Sequence, residues 1–187
     1  MNIILFGPPG AGKGTQAKHL VKKLNGFQIS TGEILRNEIK NNTEIGKVII
    51  NDMDSGRFVN DEIVNTLIKK IVFDSKKKNK LIFDGYPRSI SQAKNLDLLL
   101  KSSNQKIDFI FFLNVNKEII IKRIEKRKIL ENRTDDETTT ILKRYDTYME
   151  TTKPVLEFYS KNTSFKEIDG SQEIDQITKK IDIFLNV

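Results

Sequence analysis

The sequence predicts a three-layer α/β fold in which helices cover both faces of a five-stranded parallel sheet. Short apolar runs of strand length alternate with longer segments whose apolar residues recur at helical spacing. The short runs are continuously apolar, which is typical of strands that are covered on both faces. No repeat, low-complexity tract or proline-rich linker divides the 187 residues, so we expect one domain.

The candidate strands and helices alternate in a regular order. The candidate strands are Ile3–Phe6, Phe27–Ile29, Leu81–Asp84, Phe109–Leu113 and Phe165–Ile168. Between the second and third strands, residues 30–80 carry more helical pattern than a simple crossover needs. We therefore expect a helical insertion at the carboxyl edge of the sheet, where open α/β proteins bind ligands. Ser30 precedes Glu33, and Thr134 precedes Glu137, at the spacing of a capping box, so both pairs predict helix starts.

Composition and charge exclude several classes of protein. No apolar run approaches the roughly 18 residues of a membrane-spanning helix, and the run Ile3–Phe6 is too short for a signal peptide. The absence of cysteine excludes disulfides and thiolate zinc sites and is compatible with the cytoplasm, where we expect the protein. The net charge of +7 comes with lysines spread along the chain and no basic stretch interleaved with aromatics, so we expect no nucleic-acid partner.

The strongest motif is Gly7–Thr15 (GPPGAGKGT), which follows the first strand and opens a helical pattern. Its glycines let the backbone amides approach a phosphate closely, and Lys13 adds a positive charge near the β- and γ-phosphates of a nucleotide. The general pattern places Ser or Thr directly after the lysine, whereas Gly14 intervenes here and the hydroxyl belongs to Thr15. The motif refines the fold class to a three-layer P-loop NTPase-type fold.

A second cluster of polar residues ends the third strand, in the segment Leu81–Arg88 (LIFDGYPR). Asp84, at the carboxyl end of a strand beside the phosphate loop, is well placed to hold Mg²⁺ through its bound water, although it could instead cap the following helix. Gly85 permits the close approach of a ligand, and Arg88 can hold a phosphate with its planar guanidinium.

Further arginines suit a reaction that must disperse phosphate charge. Arg123 and Arg127 are four residues apart and share a helix face, while Arg133 and Arg144 flank the start of the next helix. No residue stands out as a general base, since His19, the only histidine, is expected to be a surface or packing residue. A phosphate acceptor is already anionic and needs no proton removed, so this absence favours a phosphate over an alcohol acceptor.

Together these motifs resemble adenylate kinases almost from end to end. The matching landmarks are Gly7–Gln16 (GPPGAGKGTQ), Ser30–Arg36 (STGEILR), Asp84–Arg88 (DGYPR) with Gln92, and Arg133–Asp136 (RTDD) with Arg144. The Gly-Lys-Gly-Thr ending of the loop is the family's own form. The resemblance implies reversible, Mg²⁺-dependent phosphoryl transfer from ATP to AMP, giving two ADP. It also implies a monomer, whereas the composition alone predicts no membrane, nucleic-acid or zinc partner.

The resemblance also implies roles for individual residues. The residues expected to bind ATP are Gly10, Ala11, Gly12, Lys13, Gly14, Thr15, Arg123, Arg127 and Gln172. Those expected to bind AMP are Thr31, Arg36, Arg57, Phe58, Val59, Gly85, Tyr86, Pro87, Arg88, Gln92, Arg133 and Arg144. Lys13, Arg88, Arg123, Arg133 and Arg144 are the expected catalytic residues. Within these sets, Arg36 and Arg88 would hold the AMP phosphate, Gln92 would contact the adenine edge, and Arg123 would stack on the adenine of ATP.

The same resemblance implies a helical AMP-binding insertion near residues 30–59 and a lid near residues 126–136. From Arg127 to Asp135 there are only eight positions, where longer family members carry an inserted small domain. We therefore expect the short-lid form, which without cysteine has no zinc staple.

Two alternatives stay open. A UMP/CMP kinase of the same fold shares the phosphate loop and the DG-aromatic-PR segment. That family typically has alanine at the position of Thr31 and asparagine at that of Gln92, so both residues favour adenine. A non-catalytic P-loop nucleotide-binding regulator could dispense with a complete acceptor site, whereas here the phosphate-binding arginines and Gln92 are all present.

Overall fold

The computed structural model describes residues 1–74, 80–131 and 138–186, and for 129–131 and 138–139 only the backbone. The strands are β1 (Ile3–Phe6), β2 (Phe27–Ser30), β3 (Leu81–Asp84), β4 (Phe109–Asn114) and β5 (Phe165–Asp169). The helices are α1 (Lys13–Leu24), α2 (Thr31–Lys40), α3 (Glu44–Asp54), α4 (Asp61–Phe73), α5 (Ile90–Ser102), α6 (Lys117–Glu131), α7 (Thr138–Thr147), α8 (Lys153–Ser160) and α9 (Ile174–Leu185). A π-helical turn, Tyr148–Thr152, joins α7 to α8.

The strands form one parallel sheet in the order β2–β3–β1–β4–β5. All five predicted strands are confirmed; β2, β4 and β5 extend one residue further at their carboxyl ends. Because the strands are parallel, the loops after β1, β2 and β3 leave the sheet at the same edge. Central β1 therefore places the phosphate loop beside the ends of its neighbours β3 and β4.

Two apolar clusters cover the two faces of the sheet, which confirms the three-layer prediction. On one face, Ile4 of β1 belongs to a cluster formed with α4, α5 and α8. On the other face, Ile3 and Leu5 belong to a cluster formed with α1, α6 and α9. Each of these three side chains is fully buried, and burial of one such side chain stabilises the fold by about 1.5–3 kcal/mol.

The helix starts follow the sequence prediction only in part. The helix start predicted at Ser30 is confirmed, since α2 begins at the next residue, but the capping box is wrong: Ser30 also ends β2, paired with Asp84, and its side chain makes no capping hydrogen bond. A capping box is instead formed by Glu173 and Gln176 at the start of α9. The pair Thr134 and Glu137 lies outside the described residues.

Within the described ranges, no helix combines the length and the apolarity that a membrane crossing requires.

Candidate active site

The phosphate loop packs against α6. Gly10 has a φ of 81°, and a Cβ at this position would lie 2.8 Å from Cγ1 of Ile124 on α6. A larger residue would therefore meet both a backbone penalty and a steric clash. This close approach fixes the position of α6, which carries Arg123 and Arg127, relative to the loop.

Lys13, the first residue of α1, folds its side chain back into the loop. Its Nζ donates hydrogen bonds to the carbonyl oxygens of Gly7 (2.7 Å) and Pro8 (2.9 Å). Burial lowers the pKa of Lys13 to about 8, although the nearby carboxylate of Asp84 acts in the opposite direction. The ammonium group is therefore mostly protonated at neutral pH and is held by two neutral acceptors that an anionic phosphate can replace.

Asp84 ends β3 beside the start of α1. A Cβ at Gly14 would lie 3.6 Å from its Oδ2, and this oxygen accepts a hydrogen bond from Nε2 of Gln28 on β2 at 3.0 Å. The N-cap of the following helix α5 is Ser89, so Asp84 does not have the capping role that was its alternative. Sequence analysis missed Gln28, although a polar residue inside an apolar strand was a usable signal.

Arg88 is held over the Gly85 turn by several contacts. The carbonyl of Gly85 accepts hydrogen bonds from Arg88 Nε and from the Thr31 hydroxyl, both at 2.7 Å. The guanidinium lies 4.9 Å from the centre of the Phe58 ring, and the Thr152 hydroxyl of the π-helical turn donates to the Arg88 carbonyl (3.1 Å). Gly85 has a φ of 76°, and a Cβ there would lie 3.0 Å from Arg88 Nη2. Four separate segments thus meet at Arg88.

Like charges surround this arginine. Burial, together with the positive charges of Arg144 and Arg36, lowers the pKa of Arg88 to about 10, and the carboxylate of Asp84 acts in the opposite direction. Arg88 and Arg127 likewise act on the pKa of Lys13. The structure therefore brings five predicted cations into one group, in which Lys13 and Arg88 lie near the strand-end carboxylate of Asp84. Such an arrangement binds an anion with several negative charges.

The segment after α3 also contacts α7. A Cβ at Gly56 would lie 3.0 Å from the Thr140 carbonyl oxygen and 3.4 Å from Arg144 Cγ. The next residue, Arg57, is an exposed side chain whose guanidinium pairs with Asp52 at 3.0 Å. In this conformation the predicted AMP-binding residue Arg57 is thus engaged with its own segment, whereas Arg144 belongs to the cationic cluster.

Several predicted acceptor-site residues have buried side chains. Val59 is 5% exposed, and Pro87, which follows a cis peptide bond, is buried. Tyr86 is fully buried; its hydroxyl donates to Asn65 Oδ1 (2.7 Å) and accepts from Asn95 Nδ2 (3.2 Å), and burial raises its pKa to about 12. Tyr86 supports the site from within the core, and only its backbone remains for a ligand.

Gln92, in the first turn of α5, has a fixed side-chain amide. Its Oε1 accepts a hydrogen bond from the Arg88 backbone N–H (2.7 Å), and its Nε2 donates to Asp61 Oδ1 (2.6 Å). The other oxygen of Asp61 accepts from the hydroxyl of Ser89 (2.6 Å). Sequence analysis missed Asp61 because an acidic residue in a first helical turn is common on dipole grounds alone.

On the other side of the loop, Arg123 joins α6 to the segment after β5. Its guanidinium donates to the carbonyl oxygens of Gly170 (2.7 Å), Ser171 (3.4 Å) and Gln172 (3.3 Å). The structure therefore brings Arg123 and Gln172, both predicted to bind ATP, into contact. Arg133 lies outside the described residues.

His19 is not part of this group. Its Nε2 lies 2.8 Å from Asp182 Oδ1, so it connects α1 to α9, in agreement with the packing role that the sequence predicted.

The comparison with protein families identifies the chain. A family model described as adenylate kinase matches residues 5–164, which is most of the sequence. The chain belongs to the adenylate kinase family.

Relatives named adenylate kinase support this assignment over whole chains. The protein of Pelagibacter ubique (strain HTCC1062) is 50% identical over an alignment that covers all of both chains. The protein of Caulobacter sp. (strain K31) is 40% identical over all of this chain and 99% of its own length. The protein of Maricaulis maris (strain MCS10) is 40% identical over 97% of this chain and 96% of its own length. Like other adenylate kinases, this protein is a phosphotransferase.

Adenylate kinases of two lengths occur among these relatives. The alignment with the Pelagibacter protein runs over 213 positions, although this chain has 187 residues. Some residues of the Pelagibacter protein therefore have no counterpart in this chain. The alignment with the Caulobacter protein runs over 187 positions.

Magnesium, which adenylate kinases use with ATP, fits the residues at this site. In the described part of the chain no cluster of three or more His, Cys, Asp or Glu side chains is arranged for a metal ion. Mg²⁺ instead prefers one or two carboxylates together with waters and substrate phosphates. Asp84, at the sheet edge beside the loop, supplies one carboxylate of this kind.

Proposed function

We propose that this site catalyses the reversible transfer of the terminal phosphoryl group of Mg²⁺-bound ATP to AMP, giving two ADP. The observation that carries the proposal is the group of cations at the carboxyl edge of the sheet: Lys13 and Arg88 lie near Asp84, and Arg36 and Arg144 lie near Arg88. Two nucleotides that meet phosphate to phosphate bring many negative charges together. Only a strongly cationic site can hold them in contact.

The donor would occupy the loop side. The backbone amides of residues 10–15 surround its phosphates, and Lys13 exchanges the carbonyls of Gly7 and Pro8 for phosphate oxygens. Arg127, which acts on the pKa of Lys13, adds charge on this side. Arg123 and Gln172 hold the adenine between α6 and the segment after β5, which their contact supports.

The acceptor would occupy the β2–β3 side. Arg36 and Arg88 hold its phosphate, and the Thr31 hydroxyl, already bound to the Gly85 carbonyl, lines the approach. Gln92 presents its remaining amide hydrogen and lone pair to the adenine edge. Arg144 comes from α7 and neutralises charge on the transferred group. The acceptor is itself a phosphate, so positioning and charge neutralisation suffice and the protein removes no proton.

The metal supplies charge neutralisation on the ATP phosphates when it is bound. For its part, the protein contributes the Asp84 carboxylate, which would act through metal-bound water. Gln28 fixes that carboxylate by hydrogen bonding to Oδ2 and leaves Oδ1 for water. Thr15, exposed in the first turn of α1, offers a hydroxyl on the same side.

Two segments would close over the nucleotides: the insertion at residues 30–59 and the short lid at residues 126–136. Gly56 of the insertion lies close to Thr140 on α7, the helix that follows the lid, so the insertion would close towards this side of the site. The equal alignment length with the Caulobacter protein supports the short-lid form. A monomer in the cytoplasm, with no nucleic-acid, membrane or zinc partner, stays a prediction.

The acceptor preference tests the proposal directly. Mg-ATP is incubated with AMP, CMP, UMP or GMP, each compared with a reaction that lacks an acceptor, and ADP formation is measured. We expect ADP to rise strongly with AMP, because Thr31 and Gln92 suit adenine. A preference for CMP or UMP would instead indicate a UMP/CMP kinase. No dependence on any acceptor would indicate a nucleotide-binding regulator.

Replacing Gln92 with alanine tests the adenine contact. We expect the KM for AMP to rise about 10-fold, while the KM for ATP stays within about twofold, because one pair of base contacts is lost on the acceptor side only. Steady-state kinetics with each substrate varied in turn gives both constants. A rise of equal size in both would place Gln92 outside the acceptor site.

A further inference from the structure

The side-chain amide of Gln92, which the proposed function places against the base, has a hydrogen-bond acceptor at one end and a donor at the other. Its oxygen and nitrogen ends are similar in size, so a half-turn of the side-chain amide exchanges acceptor and donor. Adenine offers an acceptor at N1 and a donor at its 6-amino group. Hypoxanthine, the base of IMP, offers a donor at N1 and an acceptor at O6, so the opposite amide orientation suits it. Whatever fixes the amide therefore selects the base.

Two contacts in the structure fix the amide in one orientation. The backbone N–H of Arg88 is a donor and lies 2.7 Å from Oε1, whereas the carboxylate of Asp61 is an acceptor and lies 2.6 Å from Nε2. A turned amide would place donor against donor and acceptor against acceptor at both contacts. Gln92 is only 3% exposed, so water cannot readily replace either partner.

Asp61 is itself fixed by a second contact. Its Oδ2 accepts a hydrogen bond from the Ser89 hydroxyl at 2.6 Å, and the same hydroxyl accepts from the Gln92 backbone N–H at 3.1 Å. The carboxylate thus joins the first residue of α4 to the N-cap and first turn of α5. After these contacts the Gln92 amide keeps one hydrogen and one lone pair for a base, in a defined order.

We propose that Asp61 is a positioning residue that orients the Gln92 amide, so that the acceptor site favours adenine over bases with the opposite order of donor and acceptor. The proposal rests on the role of Gln92 in the proposed function. Asp61 does not need to touch the nucleotide. Its effect is carried through the amide.

The test compares kcat/KM for AMP and for IMP in Asp61→Ala. We expect the preference for AMP over IMP to fall by about 10-fold and the KM for AMP to rise by about 10-fold, with the KM for ATP within about twofold. The Arg88 N–H alone then holds the amide. A ratio of two acceptors measured on one preparation is independent of how much of the protein is folded, so a structural role alone would not change it.

Two matched variants distinguish the loss of the hydrogen bond from Gln92 to Asp61 from the loss of a negative charge and from a change in the first turn of α4. Asp61→Asn keeps an oxygen that can accept from Nε2, and we expect its AMP-over-IMP preference to stay within about threefold of the unmodified protein. Glu62→Ala removes the neighbouring exposed acid of the same helical turn and should leave both KM values unchanged. An unchanged preference in Asp61→Ala, or an equal loss in Glu62→Ala, would overturn the proposal.

The double variant Asp61→Ala/Gln92→Ala distinguishes this proposal from the proposed function. If Asp61 acts through Gln92, the double variant should have the same AMP-over-IMP preference as Gln92→Ala alone. A further loss in the double variant would contradict that mechanism. If Gln92→Ala itself leaves the KM for AMP unchanged, the failure lies in the proposed acceptor site and not in the role of Asp61.

Discussion

Replacing Lys13 with methionine is expected to lower kcat by about 10²–10³-fold while the fold stays intact. Methionine keeps much of the length of the side chain but removes the charge that would follow the transferred phosphoryl group. The measurement is ADP formation from Mg-ATP and AMP, combined with circular dichroism. Near-normal kcat in Lys13→Met would contradict the assignment of the loop as the donor site.

Lys18→Met is the matched control for this variant. Lys18 lies on the same helix and is exposed, so its replacement removes an equal charge away from the loop. We expect kcat to stay within about twofold, since an exposed charge is well screened by solvent. A similar loss in both variants would mean that the helix needs positive charge in general and not an ammonium group at Lys13.

The stability of Lys13→Met should respond to pH in a defined direction. Burial lowers the pKa of Lys13 from 10.5 to about 8, so between these values the unfolded chain binds more protons at this residue than the folded chain. The buried charge of Lys13 therefore lowers the unfolding free energy by its full amount below about pH 8. This destabilisation decreases as the pH rises from 8 to 10.5. Thermal melts should show that the stability gained by Lys13→Met is larger at pH 7 than at pH 10.

The sheet and the phosphate loop could be predicted from the sequence because their signals are local. β1 is an unbroken apolar run and β3 is apolar up to its last residue, Asp84, as burial on both faces favours, and the predicted bounds of both strands agree with the structure. The sequence predicts that the loop motif follows a strand and opens a helix, and α1 indeed begins within it, at Lys13. These features need no knowledge of which distant segments meet.

Side-chain contacts between distant segments could not be predicted in this way. The bond from Gln92 to Asp61 joins residues 31 apart, and that from Gln28 to Asp84 joins residues 56 apart. Each depends on how helices or strands are placed in space, which sequence spacing does not specify. The capping box predicted at Ser30 failed for a related reason, because pairing in the sheet determines the position of this residue.

Arg88 is the acceptor-side residue for which we expect the largest effect. Arg88→Lys keeps the charge but loses the planar guanidinium, which donates to Gly85 through Nε and lies 4.9 Å from the centre of the Phe58 ring. We expect kcat/KM for AMP to fall by about 10²-fold in Arg88→Lys and by about 10³-fold in Arg88→Ala. The KM for ATP should change by less than about threefold in both.

The comparison of the two Arg88 variants separates geometry from charge. Arg36 and Arg144 already lower the pKa of Arg88, so the cluster retains cations when Arg88 is lost. If total charge were all that mattered, Arg88→Lys would behave as the unmodified protein and Arg88→Ala would lose only part of the activity. A large loss in Arg88→Lys would instead mean that the acceptor phosphate must be held at a fixed angle to the donor, since in-line transfer depends on the alignment of the reacting oxygens. Steady-state kinetics with AMP varied at saturating Mg-ATP distinguishes the two outcomes.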